Sequence, residues 1–316
     1  MTGMISILLL STLRMGTPLA LTALGGTMSE RSGVTNIGLE GILTAGAFAA
    51  VVGSYFTGNP WIGVLCAIVM GIAISAIHSF IAVTAGGAQN ISAMALVMLA
   101  NGFSAVGLNA IFKSAGNSAQ VNALPTTPIL AHIPVVGEFL AKLSPFVYIA
   151  FIMLFVVWYL LKHTPLGLRI TMVGEQPKAA ETAGISVAKI RYFSVLASGF
   201  LGGLGGAYLS LGQMNLYQDG MVSGRGYLAL GAVIMGKWNP VGAFFSAMFF
   251  GLFEAIQIYV QMIPNFPVPH EFIEMIPYVA SLIVLAGFIG KAEGPAANGK
   301  PFSRFVNLRY RISCAN

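Results

Sequence analysis

Eight times along this 316-residue chain, about 20 residues pass with almost no charge, the length at which a helix crosses the hydrocarbon core of a bilayer. The runs fall at residues 4–24, 33–56, 61–83, 91–112, 144–161, 190–211, 241–260 and 273–289. A shorter apolar piece at 227–235 reads as a re-entrant segment or a short crossing. The fold class that follows is all-α, a polytopic integral membrane helix bundle with roughly eight to ten membrane segments. Charged residues make up 8% and hydrophobic ones 56%, and the mean hydropathy is +0.82. A water-soluble globule of that composition would expose apolar patches that soluble proteins do not tolerate. A disordered chain, a disulfide scaffold and a collagen-like chain are excluded on the same grounds. The 38 glycines suit membrane helices that approach closely through small residues.

The net charge of +6 does not point to nucleic acid as a partner, because the positive residues sit in connections and in the tail, where the positive-inside rule places them. The connection 163–189 carries Arg169, Lys178 and Lys189 against Glu175 and Glu181, with Lys162 and Arg191 at its edges, so it is expected in the cytoplasm. Residues 291–316 carry Lys291, Lys300, Arg304, Arg309 and Arg311 against Glu293, and are expected on the same side as a basic tail. Their Gly, Pro and Asn content reads as disorder. The membrane domain then covers residues 1–290. Residues 113–142, rich in Ser, Asn, Pro and Thr, suit an external loop with a short helix near 134–141. Residues 1–13 lack the basic start of a signal peptide and read as a retained first helix or anchor. Cys66 and Cys314 lie in such different settings that neither a mutual disulfide nor a metal or redox role is assigned.

Polar groups inside the apolar runs mark a candidate pathway. Gly33 to Gly41 joins a charged junction to a membrane helix and is expected to set Asn36 and Glu40 one helical turn apart on one face. A carboxylate there needs water or a partner. Either it lines a cavity beside a broken helix, or it is hydrated at the interface or caps another helix. Gly86-Gly87-Ala88-Gln89-Asn90 precedes the run that holds Asn101 and Asn109, and Asn90 reads either as a helix cap or as part of the pathway. Glu254, Gln257 and Gln261 make a polar stripe on a late span, the kind that glues helices together or meets a ligand. Amides on several spans suit a polar neutral solute better than a lipid or an ion. Gly199 with Gly203, and Gly202 with Gly206, have the Gly-xxx-Gly spacing of close helix packing. No Gly-Lys-Ser or Gly-Lys-Thr follows, so this is not a phosphate loop, and His270-Glu271 lacks the second His of a zinc motif. No catalytic centre and no directly bound cofactor are expected.

The connection 163–189 is built as Leu166-Gly167-Leu168-Arg169, then Val173-Gly174-Glu175-Gln176-Pro177-Lys178-Ala179-Ala180, then Ala183-Gly184-Ile185-Ser186 and Lys189-Ile190-Arg191. Gly174 and Gly184 bound a stretch in which Pro177 can start a short helix over residues 177–183. By itself this is either a linker or a docking element. The whole resembles the coupling loop of bacterial ABC importer permeases, in the branched-chain amino acid and simple-sugar permease family and in its nucleoside-uptake branch. Glu30-Arg31-Ser32-Gly33 through Gly41, Gly224-Arg225-Gly226-Tyr227 and Gly236-Lys237-Trp238-Asn239-Pro240 are similar to motifs of that branch.

The resemblance implies that Glu175, Pro177, Ala180 and Gly184, with Gly174 at the boundary, contact a separate ABC ATPase subunit that hydrolyses the ATP. It implies further a second, homologous permease subunit, an extracytoplasmic solute-binding lipoprotein, and a place in the bacterial cytoplasmic membrane. The substrate pathway is expected at Asn36, Glu40, Asn90, Asn101, Glu254 and Gln257, with a nucleoside as first choice of cargo and simple sugar and branched-chain amino acid behind it. The competing class is an ion-coupled secondary transporter that uses Glu40 or Glu254 as a proton site.

Overall fold

The computed structural model describes residues 2–124, 143–263, 267–287 and 293–302. The expected helix near 134–141 and the tail beyond residue 302 lie outside the described residues. The long helices are α1 (Thr2–Arg31), α2 (Leu39–Thr57), α3 (Pro60–Ser79) with a π turn at Phe80–Thr84, α4 (Gln89–Phe112) and α5 (Pro145–His163). Two short helices follow, α6 (Pro165–Glu175) and α7 (Pro177–Thr182). Then come α8 (Val187–Ala207), which runs on as a π segment Tyr208–Met214, α9 (Arg225–Met235), α10 (Pro240–Gln261), the single turn α11 (His270–Glu274) and α12 (Ile276–Gly287). Among the described residues no strand forms beyond one isolated bridge, Asn117 to Gln218.

Proline sets several helix starts, because its missing N–H is not needed in the first turn and its φ is already helical. Asn59 and Asn239 each precede such a proline and cap the helix, their side-chain oxygens accepting from the Trp61 and Val241 amides. Helix α2 is the most enclosed element and sits between α3, α4 and α8. The Gly-xxx-Gly segment of α8 does the work expected of it. A Cβ on Gly206 would meet the Leu43 carbonyl at 2.5 Å, one on Gly203 the Ala67 carbonyl at 2.5 Å, and one on Gly199 the Gly71 carbonyl at 2.4 Å. One glycine-rich stretch therefore lets α8 touch α2 and α3 backbone to backbone, where van der Waals packing must replace a hydrophobic driving force. A Cβ on Gly251 would fall 2.4 Å from the Gly16 Cα, so α1 and α10 cross in the same way.

Seven helices are long and apolar enough to span a bilayer among the described residues, fewer than the eight to ten expected. Two segments account for the difference. The apolar piece at 227–235, read as a re-entrant segment or a short crossing, is an 11-residue helix, α9, about 16 Å long, too short to cross alone. Residues 215–224 lead into it in non-helical form. They are held by Val121 N–H to the Asn215 carbonyl at 2.8 Å and Ser118 N–H to the Tyr217 carbonyl at 2.8 Å. The run expected over residues 273–289 is likewise divided, into α11 and α12.

Sidedness follows from one contact. A Cβ on Gly174 would lie 2.0 Å from the Arg31 carbonyl, so the end of α1 sits against the basic connection. With that connection in the cytoplasm, α1 descends, α2 rises, α3 descends and α4 rises, and residues 113–124 are external.

Candidate translocation and coupling sites

Deep in the bundle, Glu40 closes the N-terminus of α9. Its Oε1 accepts from the Gly224 amide at 2.7 Å and its Oε2 from the Gly226 amide at 2.6 Å. The first N–H groups of a helix have no partner of their own and carry its positive dipole end, so a carboxylate there answers both needs at once. Gly224 turns the chain through a left-handed φ of 80°. Gly226 has no room for a side chain, since a Cβ would lie 2.4 Å from the Glu40 nitrogen.

Beside this cap, Arg225 Nε donates to both oxygens of Glu254 at 3.2 Å, and its Nη1 donates to the Met221 carbonyl at 2.9 Å. Glu254 is buried. The Tyr278 hydroxyl donates to the Ser223 carbonyl. Thus α2, α9, α10 and α12 meet in one polar knot in which the acids are hydrogen-bonded, as an ionised group in low dielectric must be. Glu40 caps another helix, one of the readings the sequence left open. The sequence assigns no role to Arg225 or Tyr278; its signals for Arg225 are the family-like motif Gly224-Arg225-Gly226-Tyr227 and the place of that arginine at the head of an apolar run.

Asn36 does not share a helix face with Glu40, because α2 begins only at Leu39 and Asn36 lies in the non-helical approach to it. It is buried, and its Nδ2 donates to Ser198 Oγ at 3.0 Å. The neighbouring Thr35 is tied to Gln89 Oε1 through its N–H at 2.8 Å, and its carbonyl lies 3.1 Å from His78 Nε2. These partners hold residues 34–36 out of helical form. Gln257 is half-buried, one turn beyond Glu254.

Asn90 is not the cap of α4, which falls at Ala88 without a side-chain bond. Asn90, Asn101 and Asn109 all lie exposed, within about 100° of arc on α4. Ala93, Leu96, Val97, Ala100 and Ser104 are the buried side of the same helix. A Cβ on Gly41 would meet the Val97 Cα at 2.9 Å, so that buried side is the one turned to α2. The six expected pathway residues therefore divide. Glu40 and Glu254 are brought together through α9, whereas Asn90 and Asn101 stand on a face of α4 that no other part of the described chain covers.

The cytoplasmic connection is ordered as α6, α7 and a Gly184 turn with φ 79°. Helix α7 spans Pro177–Thr182, matching the short helix expected at 177–183. Ala180 is fully buried and anchors it, while Glu175, Gln176, Lys178, Thr182 and Gly184 are exposed and Pro177 is half-buried. The Gly174 carbonyl accepts from the Ala297 amide at 2.9 Å, and Glu175 Oε2 accepts from the Ala296 amide at 3.2 Å.

Residues 293–302 thus form a strap across the cytoplasmic ends of the helices. Thr35 Oγ1 donates to Asn298 Oδ1 at 3.0 Å, and Arg191 Nη1 donates to the Lys300 carbonyl at 3.2 Å. Trp238 links the strap to α9: its indole N–H donates to Glu30 Oε2 at 2.5 Å, its carbonyl accepts from Arg31 Nε at 2.8 Å, and Gly294 lies against its ring. Arg191 is 0% exposed; its guanidinium carbon lies 6.0 Å from the Phe302 ring centroid, and its Nε and Nη2 have no hydrogen-bond partner among the described residues.

The chain matches the family described as branched-chain amino acid transport system / permease component over residues 8–288. It is 39% identical to a guanosine ABC transporter permease of Bacillus subtilis, over 94% of this chain and 97% of that one. It is 37% identical to a nucleoside ABC transporter permease of Lactococcus lactis, over 90% of this chain and 92% of that one. It is 34% identical to a Haloferax volcanii permease provisionally named for glucose, over 90% and 92%.

Proposed function

The chain belongs to the branched-chain amino acid transport system / permease component family, as the multi-pass permease subunit of an ATP-driven ABC importer, and we propose that its cargo is a nucleoside. The observation that carries this choice is the pair of relatives named for guanosine and nucleoside transport, which exceed the glucose-named relative in identity over comparable lengths. Chemistry on α4 agrees with it. Asn90, Asn101 and Asn109 offer amide donors and acceptors that suit ribose hydroxyls and base edges.

An amide facing lipid leaves hydrogen bonds unmade, so such a stripe belongs against protein or a water-filled cavity. The face fits one wall of a pathway whose other wall is a second, homologous permease subunit. An extracytoplasmic solute-binding lipoprotein delivers the cargo. ATPase subunits that hydrolyse ATP grip Glu175, Pro177 and Gly184 on and beside α7, which Gly174 and Ala180 seat against the bundle. This chain contributes the path and the moving helices. ATP can drive it only through contacts that differ between the outward- and inward-open states.

Glu40 and Glu254 support the pathway by fixing α9 rather than by touching cargo. A proton-coupled carrier would have to release one of them from the α9 amides or from Arg225 each time it took up a proton.

The test is a competition panel. The chain is reconstituted with its ATPase, second permease and binding lipoprotein, and ATP-dependent uptake of labelled guanosine is challenged with unlabelled uridine, ribose, glucose and leucine. Competition by uridine and not by the sugars or leucine is expected. Competition by glucose or leucine alone would assign the other branch of the family.

A further inference from the structure

We propose that residues 293–300 and helix α7 form one continuous docking surface for the ATPase subunit. This rests on the reading of α7 as an ATPase contact and extends it to a segment more than a hundred residues away in sequence. The strap is fastened directly onto the coupling connection. Ala297 donates to the Gly174 carbonyl at 2.9 Å, and Ala296 donates to the Glu175 carboxylate at 3.2 Å. Ala296 and Glu175 are both exposed, so a partner that reaches the Glu175 side chain meets Ala296 within the same few ångströms.

The strap is also built with two sides. Pro295 and Ala297 are buried against the bundle, while Glu293, Ala296, Gly299 and Lys300 face outward. Asn298 N–H to the Pro295 carbonyl at 2.9 Å and Lys300 N–H to the Ala297 carbonyl at 3.2 Å fold it into a turn, completed by Gly299 at φ 74°. A surface held in this way loses little conformational freedom on binding, which favours affinity.

Its charges continue those at the junction of α6 and α7. Glu175 and Lys178 are joined by Glu293 and Lys300, a mixed-sign patch that suits a soluble protein partner better than an anionic lipid surface, which selects clustered cations. Contact at the strap also has a route inward. Gly294 lies against the Trp238 ring, Trp238 bonds Glu30 and Arg31, and α9 leads from there to Glu40. An ATPase seated on both elements would move α7 and α9 together.

The experiment uses the full complex in membranes, with a benzophenone-bearing residue placed in turn at Ala296, at Lys178 and, as an external control, at Asn122. Photo-crosslinks to the ATPase subunit are expected from Ala296 and Lys178 and not from Asn122. A crosslink from Lys178 without one from Ala296, or adducts from Ala296 to lipid alone, overturns the strap while leaving α7 as the contact. No ATPase crosslink from either position removes both. Independently, Ala296→Trp adds bulk on the outward side only and is expected to weaken ATPase binding at least tenfold with an unchanged melting temperature. Unchanged binding would overturn the proposal.

Discussion

The Gly226 amide donates to Glu40 Oε2 across 2.6 Å, joining two residues 186 positions apart and fixing the start of a half-length helix deep in the bundle. Together with the Gly224 amide on the other oxygen, it makes Glu40 the fixed point on which α9 stands.

Glu40→Gln keeps the shape but loses the charge and one of the two acceptors, leaving an α9 amide unpaired. A destabilisation of about 1–3 kcal/mol is expected, read as a lower melting temperature in detergent. Gly226→Ala should be worse, because its Cβ meets backbone at 2.4 Å, whereas Gly102→Ala on α4 has nothing within 4 Å and should be neutral. Equal stability of these two alanine variants would contradict the packing described.

Glu254 is buried and its partner Arg225 is partly exposed, so the two single changes differ. Arg225→Met strands the buried carboxylate and is expected to cost about 3 kcal/mol. Glu254→Met leaves an arginine that still reaches the Met221 carbonyl and should cost less, and the double variant should recover most of the larger loss. A double-mutant cycle on thermal stability measures it. Additive losses would mean that the two side chains do not act as a pair.

Arg191 makes the opposite case. With two donors unpaired among the described residues, its removal relieves a cost of about 1–3 kcal/mol, against one bond to the Lys300 carbonyl and a cation–π contact with the Phe302 ring at 6.0 Å, worth about 0.5–1 kcal/mol. Arg191→Met is therefore expected to hold or raise the melting temperature. A fall of several degrees would show that the guanidinium has a compensating partner.

Much of this was readable from residue order. Apolar runs located the long helices, the glycines of α8 announced close helix packing without saying against which helices, and Pro177 marked the start of the short helix α7. What could not be read depended on partners distant in sequence. The spacing puts Asn36 on the helix of Glu40, but Gln89, His78 and Ser198 bond the segment 35–36 and hold it out of helical form. The Gly, Pro and Asn of residues 293–302 resemble those of a free tail, and composition carries no sign of the Gly174 carbonyl waiting for the Ala297 amide. Arg225 needed Glu254, 29 positions on, before its presence in an apolar run made sense.

Asn101 separates pathway from scaffold. It is exposed, so Asn101→Leu should change stability by no more than about 0.5 kcal/mol, yet lower the apparent affinity of uptake roughly tenfold, equivalent to about 1.4 kcal/mol of lost interaction. Asn36→Leu removes a buried bond to Ser198 and should do the reverse, lowering stability first. Uptake assays run beside melting curves distinguish them, and unchanged uptake in Asn101→Leu would remove α4 from the pathway.

The most direct measurement compares labelled guanosine uptake into vesicles holding the complete complex with ATP on the side of α7, and into vesicles holding this chain alone under an imposed proton gradient. Uptake is expected only in the first, and Glu175→Lys should abolish it by releasing the ATPase. Guanosine entry driven by the gradient in the absence of any ATPase would contradict the reading of the chain as a gate powered from outside itself.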